Sequence, residues 1–593
     1  MTSFGSVSSD SLPKKREPFS NFLNRFSQFV IRREGDRIFV FVLILLNAVF
    51  LLPGIGDEAL LPQGDETMHI ATIRESLASS SYLFPKFEGV LNLYKPPALF
   101  WLGMLSDSIF GIGFFGERFP SFLLFLGVSL LIYLGLRRAK TPPIYAFGLA
   151  LAYTLTLGVF KFARLAMMES LLAFFITAIS VLILEFRLSG RKVWLGLGGL
   201  LSGIAILIKG PLFQIYSGAL LVSFSCFSIF LISKSGIWTG RRRIWKELQH
   251  HLLFHISSLI IPGIWILVLL SFSNLGKEFL RIFFFTENLG KFSSATANQA
   301  EWIIPVGFLL YSFPFSLALA FAFLSGLFRK SRNFRSTMGS SFLWAIVSIA
   351  IVHISPNRKD FYYLLPLIPV SFLAIGLSFS GKKNTSDGIR IRNWLSWNFI
   401  FSFTIALILC IGMFAFGLFL DRLSWMEPVF LLLLVILVFF VRSRMRKEDG
   451  VPTIIYSGNL WIAVFLLVYL QFSVLPRLSL SEVPDHGPIL SAKQICVVSE
   501  NPWTAWTFRN ALPGIDIAHS IPGAERNCID GRRHLIVFDP NFTRKEEYRL
   551  IQTQFVWKRN LNGKELLSPS KGKDQIYFYE PIRNFDSGAP EQP

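Results

Sequence analysis

The strongest constraint on this chain is a series of apolar runs, each long enough to cross a bilayer. A helix rises about 1.5 Å per residue, so a hydrocarbon core about 30 Å thick needs about 20 apolar residues. Such runs lie near residues 38–55, 119–136, 143–160, 171–186, 194–208, 212–232, 252–272, 302–327, 341–355, 361–378, 397–420, 427–441 and 453–474, thirteen in all. Only 16% of the 593 residues are charged and 52% are hydrophobic, whereas a soluble domain carries about 25% charged residues. This excludes a soluble globular enzyme and a disordered chain. The expected fold class is an α-helical polytopic membrane protein with about 13 transmembrane helices. The first run is too long for a signal-peptide core and lacks a small-x-small cleavage site, so it reads as a retained anchor.

A further run, residues 96–115, is ambiguous. It opens with Pro96-Pro97 and carries Ser106, Asp107 and Ser108 at its middle; an ionised carboxylate at mid-bilayer is costly. Charge decides the matter, because cytoplasmic loops are enriched in Lys and Arg. If 96–115 does not span, seven basic residues before residue 38 and every later basic cluster fall on the N-terminal side, 30 of the 58 in total. If it spans, all the later clusters change sides. Residues 96–115 are therefore expected to be an amphipathic or re-entrant segment at the outer interface. The organisation that follows is a cytoplasmic segment 1–37, a transmembrane domain 38–474 with a long first outer loop 56–118 containing juxtamembrane helices, and an outer C-terminal domain 475–593. The net charge of +20 is then largely an insertion signal, and no nucleic-acid partner is implied.

The C-terminal part is polar. Short β-like runs at Gln494–Val498, His534–Phe538, Gln554–Trp557 and Gln575–Tyr579 are punctuated by Pro513-Gly514, Pro522-Gly523 and Asp539-Pro540, which suggests a small α/β-like domain. Cys496 and Cys528 would pair in an oxidising compartment or remain as two buried thiols.

In this topology the polar residues of the outer loops converge on one membrane face. They are Asp65-Glu66, Arg74, Lys95 and Glu117-Arg118 in the first loop, and Lys161, Arg164, Glu169, Lys209, Glu287, Lys291, Arg358, Lys359, Asp360, Tyr362 and Tyr363 in later turns. A few acids among several bases at an apolar–aqueous boundary suit an anionic lipid headgroup. The fitting chemistry is transfer of a group from a lipid phosphate. The phosphate departs as an anion stabilised by Lys or Arg, and a hydroxyl acceptor gives its proton to a carboxylate. A phosphate acceptor needs no base; the carboxylate then orients it or stabilises an oxocarbenium-like centre.

Residues 64–120 contain Gly64-Asp65-Glu66-Thr67, Arg74-Glu75, Pro85-Lys86-Phe87-Glu88, Tyr94-Lys95-Pro96-Pro97 and Glu117-Arg118-Phe119-Pro120. They resemble the first outer loop of GT-C membrane glycosyltransferases, in particular the lipid A aminoarabinose transferases and the dolichyl-phosphate-mannose–protein mannosyltransferase superfamily. Lys209-Gly210-Pro211 and Lys359-x-x-x-Tyr363-x-x-Pro366-x-x-Pro369 match two further motifs. The resemblance implies a glycosyltransferase at the outer face of a bacterial inner membrane. Its donor would be a polyprenyl-phosphate-linked sugar such as an undecaprenyl-phosphate sugar, and its acceptor a lipid, a glycan or a protein. It implies catalytic roles for Asp65, Glu66 and Glu169, the last standing where the family usually has Asp. It implies donor-phosphate contacts at Lys95, Lys209, Lys291, Arg358, Lys359 and Tyr363, with Arg74, Arg118, Arg164 and Glu287 as accessory polar groups. A divalent metal belongs to part of this class, but no ligand set is assignable here, and no other cofactor is implied.

Blander roles compete at each position. Asp65 suits a helix N-cap, Lys95 an interfacial snorkelling lysine, Lys209 a helix C-terminus, Lys359 a structural tie, and Glu169 a buried acid paired to Arg164. Gly199-x-x-x-Gly203 reads as close helix packing rather than a dinucleotide loop. His250, His251 and His255 read as interfacial packing rather than a metal site. At the level of function the rivals are a flippase for a lipid-linked substrate and a non-catalytic lipid receptor.

Overall fold

The computed structural model describes residues 34–57, 65–93, 95–230, 237–272, 274–290, 299–327, 334–357, 359–378, 386–419, 426–447, 458–474 and 492–500, and stretches between 505 and 582. The segment before residue 34 lies outside the described residues, as do Lys291 and Arg358.

In chain order the helices are α1 (Glu34–Leu51), α2 (Glu66–Ala78), α3 (Ala98–Phe110), α4 (Phe114–Arg138), α5 (Pro143–Thr154), α6 (Leu157–Phe162), α7 (Met168–Ser189), α8 (Lys192–Lys209), α9 (Leu212–Phe230), α10 (Ile237–Ser271) and α11 (Asn274–Arg281). They continue as α12 (Ile303–Ser312), α13 (Ser316–Leu327), α14 (Phe334–Ile354), α15 (Ile368–Ser378), α16 (Ser386–Phe419), α17 (Met426–Lys447) and α18 (Asn459–Tyr469). A small hairpin, β1 (Lys86–Phe87) and β2 (Val90–Leu91), joins α2 to α3. Among the described residues, α4, α7, α8 and segments of α10, α14 and α16 are long and apolar enough to cross a membrane. The pair α12 and α13, bent by 117°, makes a seventh if counted as one span. The chain is thus a mostly helical, multi-pass membrane protein.

Several expected runs are interrupted, each for a local reason. Residues 302–327 do not form one straight span, because Pro314 has no N–H to continue the helix. The freed backbone is re-satisfied: Asn398 Nδ2 and Ser402 Oγ donate to the Pro314 carbonyl at 2.8 and 2.7 Å, and Ala318 N–H donates to Asn398 Oδ1 at 2.9 Å. Such repair is what permits a break inside a membrane. The run 143–160 splits after Thr154, and Thr156 restarts the helix by accepting the Val159 N–H at 3.4 Å. Helix α3 has 13 residues, about 20 Å, short of the hydrocarbon thickness. It ends at Gly111, whose φ of +87° favours glycine.

Close packing draws the bundle together. A Cβ on Gly199 would meet the Phe254 carbonyl, and one on Gly203 would lie 2.7 Å from the Ser258 carbonyl. The expected small-residue packing of α8 therefore occurs, against α10. The three histidines lie on α10; His250 faces Glu247 of the same helix, and the other two meet polar partners from α9. His251 meets Ser225 Oγ at 3.0 Å, and His255 meets Gln214 Nε2 at 2.6 Å.

The C-terminal part carries a five-stranded mixed sheet in the order β4-β3-β5-β7-β6: β3 (Gln494–Val498), β4 (Asp516–Ser520), β5 (His534–Val537), β6 (Tyr548–Trp557) and β7 (Lys573–Pro581). β3 pairs parallel with β4 and β5, while β7 runs antiparallel to β5 and β6. Residues of both sheet faces are buried, with Ile495, Val497 and Ile536 in one cluster and Cys496, Leu535 and Val537 in the other. Cys496 and Cys528 form a disulfide, with Cα atoms 5.8 Å apart. Strand β4 escaped the sequence reading because only Ile517 of its five residues is fully buried, which leaves little alternation to detect.

Candidate functional site

The site begins at the N-terminus of α2, where two adjacent acids diverge. Successive helical residues are rotated by about 100°, and Glu66 turns inward. Its carboxylate takes Arg118 Nε at 2.8 Å and Nη2 at 3.3 Å, plus the Ala166 N–H at 2.9 Å. Arg118 also donates to the carbonyls of Ile55 and Asp57, at 3.2 and 2.8 Å, and stacks 4.6 Å from the Phe114 ring centroid. The Glu66 and Arg118 side chains are 0% and 1% exposed. Buried and bidentately held, Glu66 is a strut joining α2 to α4. Arg118 is the other half of that strut. Asp65 stands at the N-cap position but makes no side-chain capping bond, and it is only partly buried. The simple cap expected of it does not form.

Arg74 pairs with Glu117 through both carboxylate oxygens, Nη2 to Oε2 at 3.1 Å. This is a second tie between α2 and α4. Nearby, Asp107 of α3 is buried, 3% exposed. Burial first, and then the Glu117 charge, push its carboxyl up to about 7.

Glu169 sits in the first turn of α7 and meets Lys209, the last residue of α8, at 2.9 Å. Their side chains are 3% and 22% exposed. The second oxygen of Glu169 is buried without a hydrogen-bond partner. Lys209 also lies 5.3 Å from the Tyr363 ring centroid and 6.0 Å from that of Tyr362. Gly210, with φ +74°, ends α8 and lets the chain turn where a Cβ would press 2.5 Å from the Phe283 ring. The alternative pairing of Glu169 with Arg164 does not occur. Arg164 faces away, donating to the Phe160 and Pro53 carbonyls at 2.9 and 3.2 Å and to Gln471, and it stacks on Phe160. It ties the α6–α7 turn to the segment after α18.

Lys95 meets Glu287 at 2.6 Å, with side chains 17% and 20% exposed. Glu287 lies on a π-helical turn, Ile282–Leu289. Lys359 is buried, and its ammonium donates to the Gln299 carbonyl at 2.8 Å while its N–H is taken by Gln299 Oε1. Through these contacts Lys359 straps two loops. Among the described residues, the expected bases Lys95 and Lys209 are partly exposed cations facing carboxylates.

Two residues that the sequence reading did not assign to the site's chemistry join it. His69, one turn after Asp65, is buried, and its Nδ1–H donates to the Ala166 carbonyl at 2.9 Å. Burial lowers its pKa, opposed by Asp65 and Glu169 and assisted by Lys95. Tyr362 is buried, with its ring 6.0 Å from the Lys209 ammonium. Asp65, Lys95 and Glu169 all act on His69. The four-residue spacing of Asp65 and His69 on a helix was the available signal for the first. Among the described residues no group of three His, Cys, Asp or Glu side chains is placed to hold a metal ion, and no step is derived through one.

This arrangement lies largely within a recognisable segment. Residues 65–273 match the family model for dolichyl-phosphate-mannose-protein mannosyltransferase. The chain is 26% identical over 363 residues to an undecaprenyl phosphate-alpha-4-amino-4-deoxy-L-arabinose arabinosyl transferase of Pseudomonas fluorescens, covering 59% of this chain and 58% of that protein. It is also 26% identical over 363 residues to the corresponding transferase of Edwardsiella ictaluri, covering 60% and 61%. The matched region thus spans about three-fifths of these relatives. The crystal structure of ArnT from Cupriavidus metallidurans in the apo state superposes with a TM-score of 0.63 at 14% identity, over 91% of this chain and 97% of that one. ArnT bound to undecaprenyl phosphate gives 0.60 at 15%, over 94% and 99%. These likenesses establish a shared fold along nearly the whole chain.

Proposed function

We propose that this chain, a member of the GT-C superfamily of membrane glycosyltransferases, moves a sugar from a polyprenyl-phosphate-linked donor to a lipid, glycan or protein acceptor. The observation that carries the reading is the pair of partly exposed lysines, Lys95 and Lys209, each facing a carboxylate within reach of the Asp65 region. Buried arginine pairs stabilise a scaffold, whereas partly solvated lysines exchange partners readily. A donor phosphate would replace Glu287 on Lys95 and approach Lys209 beside Tyr363. Fixed cations at a poorly hydrated site stabilise the charge that develops on the departing phosphate.

The step breaks the bond between the anomeric carbon and the phosphate oxygen, and that electron pair leaves with the lipid phosphate. A new bond forms from the anomeric carbon to the acceptor oxygen. With a hydroxyl acceptor the proton passes to Asp65; with a phosphate acceptor Asp65 orients the reactants or stabilises the oxocarbenium-like centre. Glu169 holds Lys209 in place and offers its second oxygen to the sugar. The similarity to undecaprenyl phosphate-aminoarabinose transferases favours an undecaprenyl-phosphate-linked sugar as donor, and lipid A-like acceptors come first among those to test.

The same reading includes thirteen spans in a bacterial inner membrane, the N-terminal segment 1–37 in the cytoplasm, the transmembrane domain 38–474, and the C-terminal domain 475–593 in the periplasm. The disulfide between Cys496 and Cys528 supports an oxidising compartment for that domain. Reconstitution with a radiolabelled undecaprenyl-phosphate sugar and lipid A tests the activity. Labelled product from wild type and none from a folded Asp65→Asn variant is the expected result. Translocation without product would identify a flippase, and binding alone a receptor; either overturns the reading.

A further inference from the structure

Behind Lys209 and Tyr363 lies a buried polar pair that the chemistry above leaves unused. Tyr216, on α9, is 1% exposed, and His353, in the last turn of α14, is 4% exposed. Tyr216 Oη and His353 Nε2 are hydrogen-bonded, and Tyr216 O–H lies 3.5 Å from the Tyr363 carbonyl. The direction of the Tyr216–His353 bond follows the histidine tautomer: with Nε2 protonated His353 donates to the Tyr216 oxygen, and the Tyr216 hydroxyl then faces the Tyr363 carbonyl. The His353 ring stands 5.3 Å from the Tyr363 ring and 5.5 Å from that of Tyr216. Tyr363 in turn lies 5.3 Å from the Lys209 ammonium.

Location makes this more than packing. Tyr216 follows the Lys209-Gly210-Pro211 turn by five residues, so it fixes the start of α9 where α8 delivers Lys209. His353 precedes the turn that carries Lys359 to Tyr363. One hydrogen-bonded pair therefore joins the two segments that supply Lys209 and Tyr363. Apolar contacts alone would allow these segments to slide, whereas a directional buried bond sets their register.

We propose that Tyr216 and His353 are positioning residues that hold Tyr363 against Lys209 and so set the affinity for the donor's lipid phosphate. This rests on the reading of Lys209 as a phosphate contact. The test uses the full chain in nanodiscs, undecaprenyl phosphate as the probe, and four variants: Tyr216→Phe, His353→Gln, His353→Leu and Lys209→Ala. One tenfold step in Kd is about 1.4 kcal/mol. Tyr216→Phe and His353→Leu are expected to weaken binding roughly five- to tenfold. His353→Gln, which keeps a donor near the Nε2 position, is expected to stay within about twofold of wild type, a ratio worth under 1 kcal/mol. An unchanged Kd in Tyr216→Phe, or a His353→Gln variant as impaired as His353→Leu, overturns the proposal. So does a weakening that merely tracks a lower unfolding temperature of the ligand-free variants. If wild type does not bind the probe, or Lys209→Ala binds it as wild type does, the underlying phosphate assignment fails and this inference falls with it.

Discussion

Two kinds of ion pair meet at the head of α2. Glu66–Arg118 is sealed, with side chains 0% and 1% exposed, and Arg74–Glu117 is nearly so. Lys95–Glu287 and Lys209–Glu169 keep one or both partners in reach of solvent. The sealed pairs use arginine, whose planar fork grips a carboxylate bidentately. The open pairs use lysine, a point charge on a flexible stem. Only an open pair can trade its carboxylate for a ligand phosphate. Burial and donor geometry, more than charge type, separate scaffold from candidate chemistry.

The largest expected effect breaks the sealed side. Arg118→Met leaves Glu66 as a buried charge without its partner, which costs about 3–5 kcal/mol. Loss of folded protein on size-exclusion chromatography, or a steep fall in unfolding temperature, is the expected result. Normal stability would place Glu66–Arg118 with the exchangeable pairs.

Next comes the open side. Lys209→Met should keep the fold yet lower transfer by at least about a hundredfold, the scale of losing a fixed electrostatic stabiliser. The measurement is single-turnover transfer by protein with a native unfolding temperature. A fall in stability with little change in rate would mark Lys209 as scaffold.

A smaller effect separates the partners within one open pair. Lys95→Ala should raise the donor KM about tenfold, roughly 1.4 kcal/mol. Glu287→Gln should lower it about two- to threefold, because the phosphate no longer competes with a carboxylate. Equal and same-signed changes would show the pair to be a structural tie.

A last test concerns pH. Asp107 is buried next to the Arg74–Glu117 pair, with its carboxyl pushed up to about 7 by burial and by Glu117. A raised carboxyl binds its proton more tightly folded than unfolded. Its contribution is present below the unfolded value near 4 and is lost as pH rises through about 7. Unfolding temperatures at pH 5 and pH 8 should therefore differ more in wild type than in Asp107→Asn. An unchanged difference would mean that Asp107 does not titrate in this interval.

Much of this was legible before any coordinates. The apolar runs announce a membrane protein, because hydropathy over a window depends only on composition. The packing of Gly199 and Gly203 and the placement of Asp65, Lys95 and Lys209 near one another also followed from spacing and loop charge. Lys359 and Glu66 show where that reasoning stops. Lys359 read as a donor-phosphate contact and Glu66 as a catalytic acid, and the structure sets each against a protein partner, Gln299 or Arg118, that the sequence does not reveal. Glu169 was recognised, but the partner weighed for its structural role was Arg164, five residues away, and its partner proved to be Lys209.

The sequence by itself determined the solvent this protein lives in, the run of its helices and the chemical types gathered around the first loop. Those properties are sums over local residues. Only the tertiary structure decided which acids and bases face each other and which are sealed from water. Pairing across 40 to 192 residues, as in Glu169–Lys209 and Lys95–Glu287, depends on how helices pack. A one-residue step along α2 turns a buried strut at Glu66 into a partly exposed carboxylate at Asp65.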